Sequence, residues 1–465
     1  MTSTTTPPAA ATEPDARRVT TAAWVGVSLS VVLLVLAFGL PHLLSFDTFS
    51  RTRYPGEDPV PPLRGYLEVK AVGVPTLRLV LVGVLAWLFL PRLAATARWP
   101  VLLLASYAVG LVWLLTLALV DGSEGLSRVE DMPGEYLETA RTVGDVPQLL
   151  DTYVDGISYG EPDSWPTHVS GHPPGALLFF VTLVRLGVTT SFGAGLAITL
   201  VAAASVPGVL VALRALDAEA LARRALPFLV LTPAAVLMAV SGDAVFMTVT
   251  SWGLALLALA ATSSTPRRLV GWSLLAGLVL GLSVFMSYGL LLIGPVALAV
   301  LAAARSWRPL PWAVAGALVV VAAFGAFGFF WWEAYPAVHD RYFAGLGGKR
   351  PQAYWAWGNL GALLVSAGPV LGAGLACALP GLRTTVRGPV GPRRTAVLLS
   401  LGAAVAVGAA DLSGMSKSEV ERIWLPWVPW LLLSTALLPE RWRRPALAVQ
   451  VVTAVLLQQL VFTQW

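Results

Sequence analysis

The residues best suited to chemistry lie in one polar stretch, Asp121 to His172. It carries eleven carboxylates and two of the four histidines in the chain. A polar connection of this length without a repetitive composition is usually functional or disordered. Its densest part reads Glu130-Asp131-Met132-Pro133-Gly134-Glu135-Tyr136-Leu137-Glu138. A carboxylate held at a membrane surface can take the proton from an acceptor hydroxyl. Burial near lipid raises a carboxyl pKa toward that task. Single acids in such a loop are mostly solvated surface, so the density of this group is what marks it.

His168 and His172 stand four residues apart, and His172-Pro173-Pro174-Gly175 opens an apolar run. Proline suits a first helical turn, so the motif can be a plain start signal. The same rigid turn would fix His172 beside a cleft. Two histidines without further ligands do not make a metal site. A divalent metal is chemically possible but unsupported, and no metal ligand is assigned.

Three further groups stand out. Asp243 lies between two apolar runs with almost no loop around it. A carboxylate there is costly and points to function, although it could also cap the following helix. Arg341, Lys349 and Arg350 lie in a Tyr- and Trp-rich segment, 332–356. The rings suit a membrane interface; they also suit a wall for a sugar or lipid-linked substrate. Lys417 and Arg422 precede a proline-containing apolar run. Such cations can simply snorkel, or they can clamp a phosphate leaving group.

The elements that hold these residues are membrane helices. The 465 residues are 56% hydrophobic and 12% charged, with a mean hydropathy of +0.73, which excludes a soluble domain. The fold expected is an all-α polytopic membrane protein. Apolar runs at 22–44, 72–91, 99–120, 191–213, 225–240, 244–262, 269–285, 287–304, 311–331, 357–380, 395–411, 423–438 and 445–463 predict about 13 transmembrane helices. A further run, 173–187, is short. If it lies on the surface, 18 of the 28 arginines fall on one side of the membrane, the cytoplasmic side by the positive-inside rule. If it crosses, every later basic loop flips outside. It therefore reads as an outer juxtamembrane helix, with the N-terminus inside and the acidic loops outside.

Residues 1–20 read as a disordered cytoplasmic tail and 21–465 as a single transmembrane domain, with outer loop 121–190 carrying the chemistry. The basic balance reflects inner-loop arginines and implies no nucleic acid partner. The one cysteine, Cys377, allows no disulfide within the chain.

The motifs, in their order, resemble those of the GT-C glycosyltransferases. The closest are the protein O-mannosyltransferases and the lipid A aminoarabinose transferases. The stretch Asp131 to Arg141 resembles their acidic Tyr…Ala-Arg motif. His172-Pro173-Pro174-Gly175 resembles their second motif, Ser241-Gly242-Asp243 their helix-tip aspartate, and Lys417 to Pro426 their C-terminal basic signature. The resemblance spans roughly residues 99–440 and fits actinobacterial members of the class. Two departures stand. No Asp-Glu pair occupies the expected place, which leaves Asp131, Glu135 or Asp121 as the base. Ser287-Tyr288 stands where a lysine is often found, so the phosphate would rely more on Lys417 and Arg422.

The resemblance implies a membrane glycosyltransferase that moves a sugar from a polyprenyl-phosphate donor to a hydroxyl on the outer face. Mannose and arabinofuranose are the sugars it suggests. The acceptor would be a glycan, glycolipid or protein. Glu135, Asp131, Asp243 and His172 are the expected catalytic residues. Lys417, Arg422 and Arg341 would hold the donor phosphate. His168, Tyr136, Tyr288, Lys349 and Arg350 are candidate substrate contacts. The alternative is a lipid or sugar transporter without catalysis. Transporters often show repeated halves and midplane charges; here no repeat is visible and the ionisable groups gather on one face.

Overall fold

The computed structural model describes residues 16–51, 58–160 and 164–463. These residues form helices throughout, apart from one short antiparallel pairing of Tyr66–Leu67 with Val461–Phe462. Seven of the described helices are long and apolar enough to cross a membrane: Ala16–Leu43, Val74–Thr96, Trp99–Asp121, Ser191–Ala215, Gly242–Ala261, Pro266–Val284 and Pro392–Leu412. Pro100, Pro266 and Pro392 lie in first turns, where the missing N–H costs nothing. Leu29, Leu81, Leu104 and Val405 point outward and stay exposed on these helices. An apolar surface of that extent belongs in lipid. The chain is a multi-pass membrane protein.

Two further spans are bent. Leu310–Ala326 turns by 77° into Trp331–Ala344, and Gln352–Ser366 turns by 103° into Leu371–Ala378. Each break holds a glycine in the left-handed region, Gly328 at φ +87° and Gly368 at φ +95°. Only glycine takes that conformation without a steric cost.

The expectation of thirteen crossings is corrected to seven, or nine with the bent pairs, among the described residues. The run 225–240 breaks after Glu219–Val230 at Thr232-Pro233 and resumes as Ala235–Met238. The run 423–438 is a chain of short turns, and its Trp424, Trp427 and Trp430 are fully buried among protein. Hydropathy reports apolar surroundings, whether lipid or protein. It therefore counts such a buried segment as a span.

The run 173–187 forms the helix Pro174–Arg185, twelve residues, too short to span. Ala176, Leu177, Phe180 and Val181 make its buried face. The expected tail also needs correction. Arg17 and Arg18 already belong to the first helix, and residues 1–15 lie outside the described residues.

Helix direction gathers the polar segments at one end of the bundle. The end of Ala16–Leu43 meets 352–359 there: the Tyr354 hydroxyl donates to the Ala37 carbonyl and the Trp355 indole to that of Thr48. The end of Pro392–Leu412 arrives beside them, where Asn359 donates to Asp411 at 2.8 Å. The arginine-rich starts of Ala16–Leu43 and Pro392–Leu412 lie at the other end.

Candidate active site

The loop 121–172 folds into short turns and helices that carry its buried groups inward. Glu135 directly precedes the helix Tyr136–Thr142, yet its carboxylate does not cap that helix. It lies 2.5 Å from Nδ1 of His168 instead. The Tyr136 ring stacks on Phe180 with centroids 4.9 Å apart, which binds this helix to Pro174–Arg185. The Tyr136 hydroxyl is 2.7 Å from Nδ1 of His172, and the same nitrogen is 3.0 Å from the His168 carbonyl. Gly175 N–H donates to the Phe285 carbonyl at 2.8 Å, and a Cβ at Gly175 would collide with that oxygen. His172-Pro173-Pro174-Gly175 is thus both a helix start and a docking point, and it holds His172 beside Tyr136.

Asp243 sits in the first turn of Gly242–Ala261, but Ser241 occupies the capping position. The expectation that Asp243 caps this helix is not met. Its carboxylate accepts from Arg422 Nη1 at 2.5 Å. Nη2 of Arg422 donates to Glu419 at 2.8 Å. Glu419 also pairs with Arg64 and lies 3.6 Å from Arg350. Arg350 in turn donates to the Lys417 carbonyl, and Lys417 Nζ donates back to the Arg350 carbonyl at 3.1 Å. Arg350, Lys417, Glu421, Arg422 and Asp243 are all buried. Buried charges persist only when paired and hydrogen-bonded.

The backbone under this network is unusual. Ser418 and Glu419 both have positive φ, at +68° and +65°. Left-handed conformations cost a non-glycine residue roughly 1–2 kcal/mol each. Asn359 Oδ1 accepts from Ser418 N–H at 3.1 Å, and three arginines surround Glu419, which together hold the turn. Strain held by its surroundings is characteristic of functional sites.

Glu135, Tyr136, Ser241, Asp243 and Arg422 line one small cavity of about 10 Å³, room for a single water. It therefore joins the loop, a helix start and the 417–422 turn. A carboxylate and a guanidinium facing one small space can accept a proton on one side and stabilise a developing anion on the other.

Electrostatics separates the acids. Burial pushes the Glu130 carboxyl up to about 8, and the neighbouring charges of Glu135 and Asp131 add to this. Burial works against charge on Glu419, but Arg64, Arg422 and Arg350 outweigh it and hold the carboxyl well below its usual range. Burial likewise opposes the charge on Arg422, yet Asp243 and Glu419 hold its pKa above the ordinary value. His172 is pulled down by burial, partly offset by Asp243, which favours the neutral imidazole. Burial and Arg350 pull the Lys417 ammonium below its usual value.

The other expected site residues divide. Asp131 is exposed and accepts from the Ser191 hydroxyl at 2.5 Å. Arg341 donates to the carbonyls of Ile157, Ser158 and Trp165, so its fork ties the loop to Trp331–Ala344. Lys349 is exposed at the end of Leu346–Lys349. Tyr288 packs against Trp331 and Tyr335, and its buried hydroxyl has no hydrogen-bond partner among the described residues. Among those residues no group of three or more His, Cys, Asp or Glu is arranged to hold a metal ion. Glu161 and Asp163 lie outside them.

Sequence reasoning missed Arg64, Glu419 and Glu421 as members of the network and did not single out Glu130. Glu421 accepts from the Arg64 backbone N–H at 2.7 Å. The alternation Glu419-Val420-Glu421-Arg422 ahead of a Trp-rich apolar run was the available signal. Arg64 gives none, because its partners are more than 350 positions away.

No family model matches the chain, and neither does any curated protein. Among solved structures it is similar to the crystal structure of ArnT from Cupriavidus metallidurans in the apo state. The identity is 18% and the TM-score 0.39, over 70% of this chain and 59% of that one. The match therefore spans less than two thirds of the length of that protein.

Proposed function

We propose that this chain is a GT-C-type membrane glycosyltransferase that transfers a sugar from a polyprenyl-phosphate donor to an acceptor hydroxyl on the extracytoplasmic face. The observation that carries this reading is the convergence of Glu135, Asp243 and Arg422 on one cavity. The motif order quoted above supports the donor class. The acceptor is a glycan, glycolipid or protein hydroxyl.

In this reading Glu135 takes the acceptor proton as the acceptor oxygen attacks the anomeric carbon. The bond from that carbon to the phosphate oxygen breaks, and polyprenyl phosphate departs with the bonding pair. A single displacement inverts the anomeric configuration. His168, 2.5 Å from Glu135, accepts the proton onward. Arg422 stabilises the departing phosphate through its planar fork. To do so it gives up part of its contact with Asp243 or Glu419, and Asp243 holds the guanidinium in position until the donor arrives. Lys417 and Arg350 supply further positive charge. His172 and Tyr136 fix the cavity wall, and Tyr288 offers the sugar a free hydroxyl.

The test uses purified protein in lipid nanodiscs with labelled polyprenyl-phosphate mannose and polyprenyl-phosphate arabinofuranose. Release of polyprenyl phosphate that depends on an added acceptor supports the reading. Its absence with every donor and acceptor tried overturns it. A second reading, carriage of a lipid or sugar without chemistry, is favoured by the two bent helix pairs, since broken helices line transporter sites. It expects donor to change leaflet in vesicles with its sugar still attached.

A further inference from the structure

A second cavity, of about 860 Å³, opens at the arginine-rich end of the bundle. The helix Pro392–Leu412 fixes its distance from the site above. Arg393 lines it at the start of that helix, and Asp411 lies near the other end beside Asn359. Eighteen residues separate the two, roughly 27 Å at the rise of an α-helix. The two cavities are therefore independent.

Five arginines line this space, Arg17, Arg224, Arg393, Arg441 and Arg443, against one carboxylate, Glu440. They come from four segments: the first helix, Glu219–Val230, Pro392–Leu412 and Glu440–Leu460. Arg224 lies close enough to Arg443 to repel it. Like charges brought together at such a space lower their energy when an anion enters. Topology anchors need only be on the correct side of the membrane; they need not line a common cavity.

The neighbouring surface says what the anion is attached to. Trp24 and Trp442 meet edge to face at 4.7 Å, and Trp442 stands between Arg441 and Arg443 in the chain. Paired indoles of this kind mark the level of lipid headgroups. Beyond Trp24 the first helix presents Val25, Leu29 and Val32 outward, an apolar track suited to acyl chains. The volume is within the range of small-ligand sites.

We propose that this cavity binds the phosphate headgroup of an anionic membrane lipid, with the acyl chains along the first helix. The arginine-rich end lies in the cytoplasmic leaflet by the positive-inside rule, where anionic lipids attract clustered basic residues.

The test is native mass spectrometry of the full chain in detergent, titrated with phosphatidylglycerol, phosphatidylcholine or inorganic phosphate. The wild type is expected to retain phosphatidylglycerol roughly tenfold more strongly than phosphatidylcholine. Arg224→Gln with Arg441→Gln, both at exposed positions, should bring that ratio to about one. Arg224→Lys with Arg441→Lys should keep most of it, which separates lost charge from lost fold. Arg267→Gln with Arg268→Gln, at the start of another helix, should leave it unchanged. Equal retention of both lipids by the wild type overturns the proposal, as does equal loss in the Arg267 and Arg268 variant. Full displacement of phosphatidylglycerol by millimolar inorganic phosphate overturns the lipid as the source of the anion.

Discussion

Arg422 donates to Asp243 at 2.5 Å across 179 positions of sequence, and both side chains are buried. Removing one partner leaves the other charged and uncompensated, which costs about 3–5 kcal/mol for a buried pair. Glu419 still holds Arg422, so Asp243→Asn should fall at the low end of that range. Arg422→Gln should cost more, because Asp243 loses its ion-pair partner and Glu419 loses one of its three arginines. The double variant Asp243→Asn with Arg422→Gln should recover part of the stability yet stay inactive. Thermal unfolding in one detergent, together with turnover, reads both. Losses that simply add would mean the pair is not coupled.

Arg422→Lys keeps the charge and loses the fork. Donor affinity should fall, with Arg422→Ala worse than Arg422→Lys. Lys417→Ala should lower turnover more than affinity, because charge on the phosphate grows in the transition state. Unchanged affinity and turnover in all three variants would move the phosphate elsewhere.

Arg341 was legible as a cation on an acidic face, but its backbone contacts were not. Three backbone carbonyls take its guanidinium, and carbonyl positions are invisible in sequence. Arg341→Ala should loosen the loop around 157–165 and speed its cleavage by added protease severalfold. Donor affinity should stay near the wild-type value. A variant with an intact loop and weak donor binding would restore the phosphate role.

The same contrast runs through the whole molecule. Helices such as Gly242–Ala261 and Pro266–Val284 were legible because their apolar runs and breakers are local. The pairing of His168 with His172 was legible from their spacing, whereas the contact of Tyr136 with His172 was not. The segment 423–438 was misread because Trp424, Trp427 and Trp430 are buried in protein rather than lipid. Arg64 and Glu421 meet only through the fold. No local pattern encodes that contact.

Glu130 gives a pH dependence with a definite sign. Its carboxyl titrates near 8 in the folded chain, against an ordinary value of 4.5. Between these values the folded state holds a proton that the unfolded state has released. Its contribution is therefore fully present below 4.5 and is lost as pH rises toward 8. Glu130→Gln should flatten the fall in thermal stability over that window. A fall as steep in the variant as in the wild type would assign it to other groups.

In the proposed reaction Glu135 removes the acceptor proton at the cavity shared with Asp243 and Arg422. The most direct measurement is single-turnover transfer from a labelled polyprenyl-phosphate sugar in nanodiscs, with donor binding measured on the same samples. Glu135→Gln should bind donor like the wild type and transfer roughly 100- to 10,000-fold more slowly. Asp131→Asn, altered at an exposed position, should stay within a few-fold of the wild type. Wild-type transfer by Glu135→Gln, with donor bound equally well, would rule out Glu135 as the base.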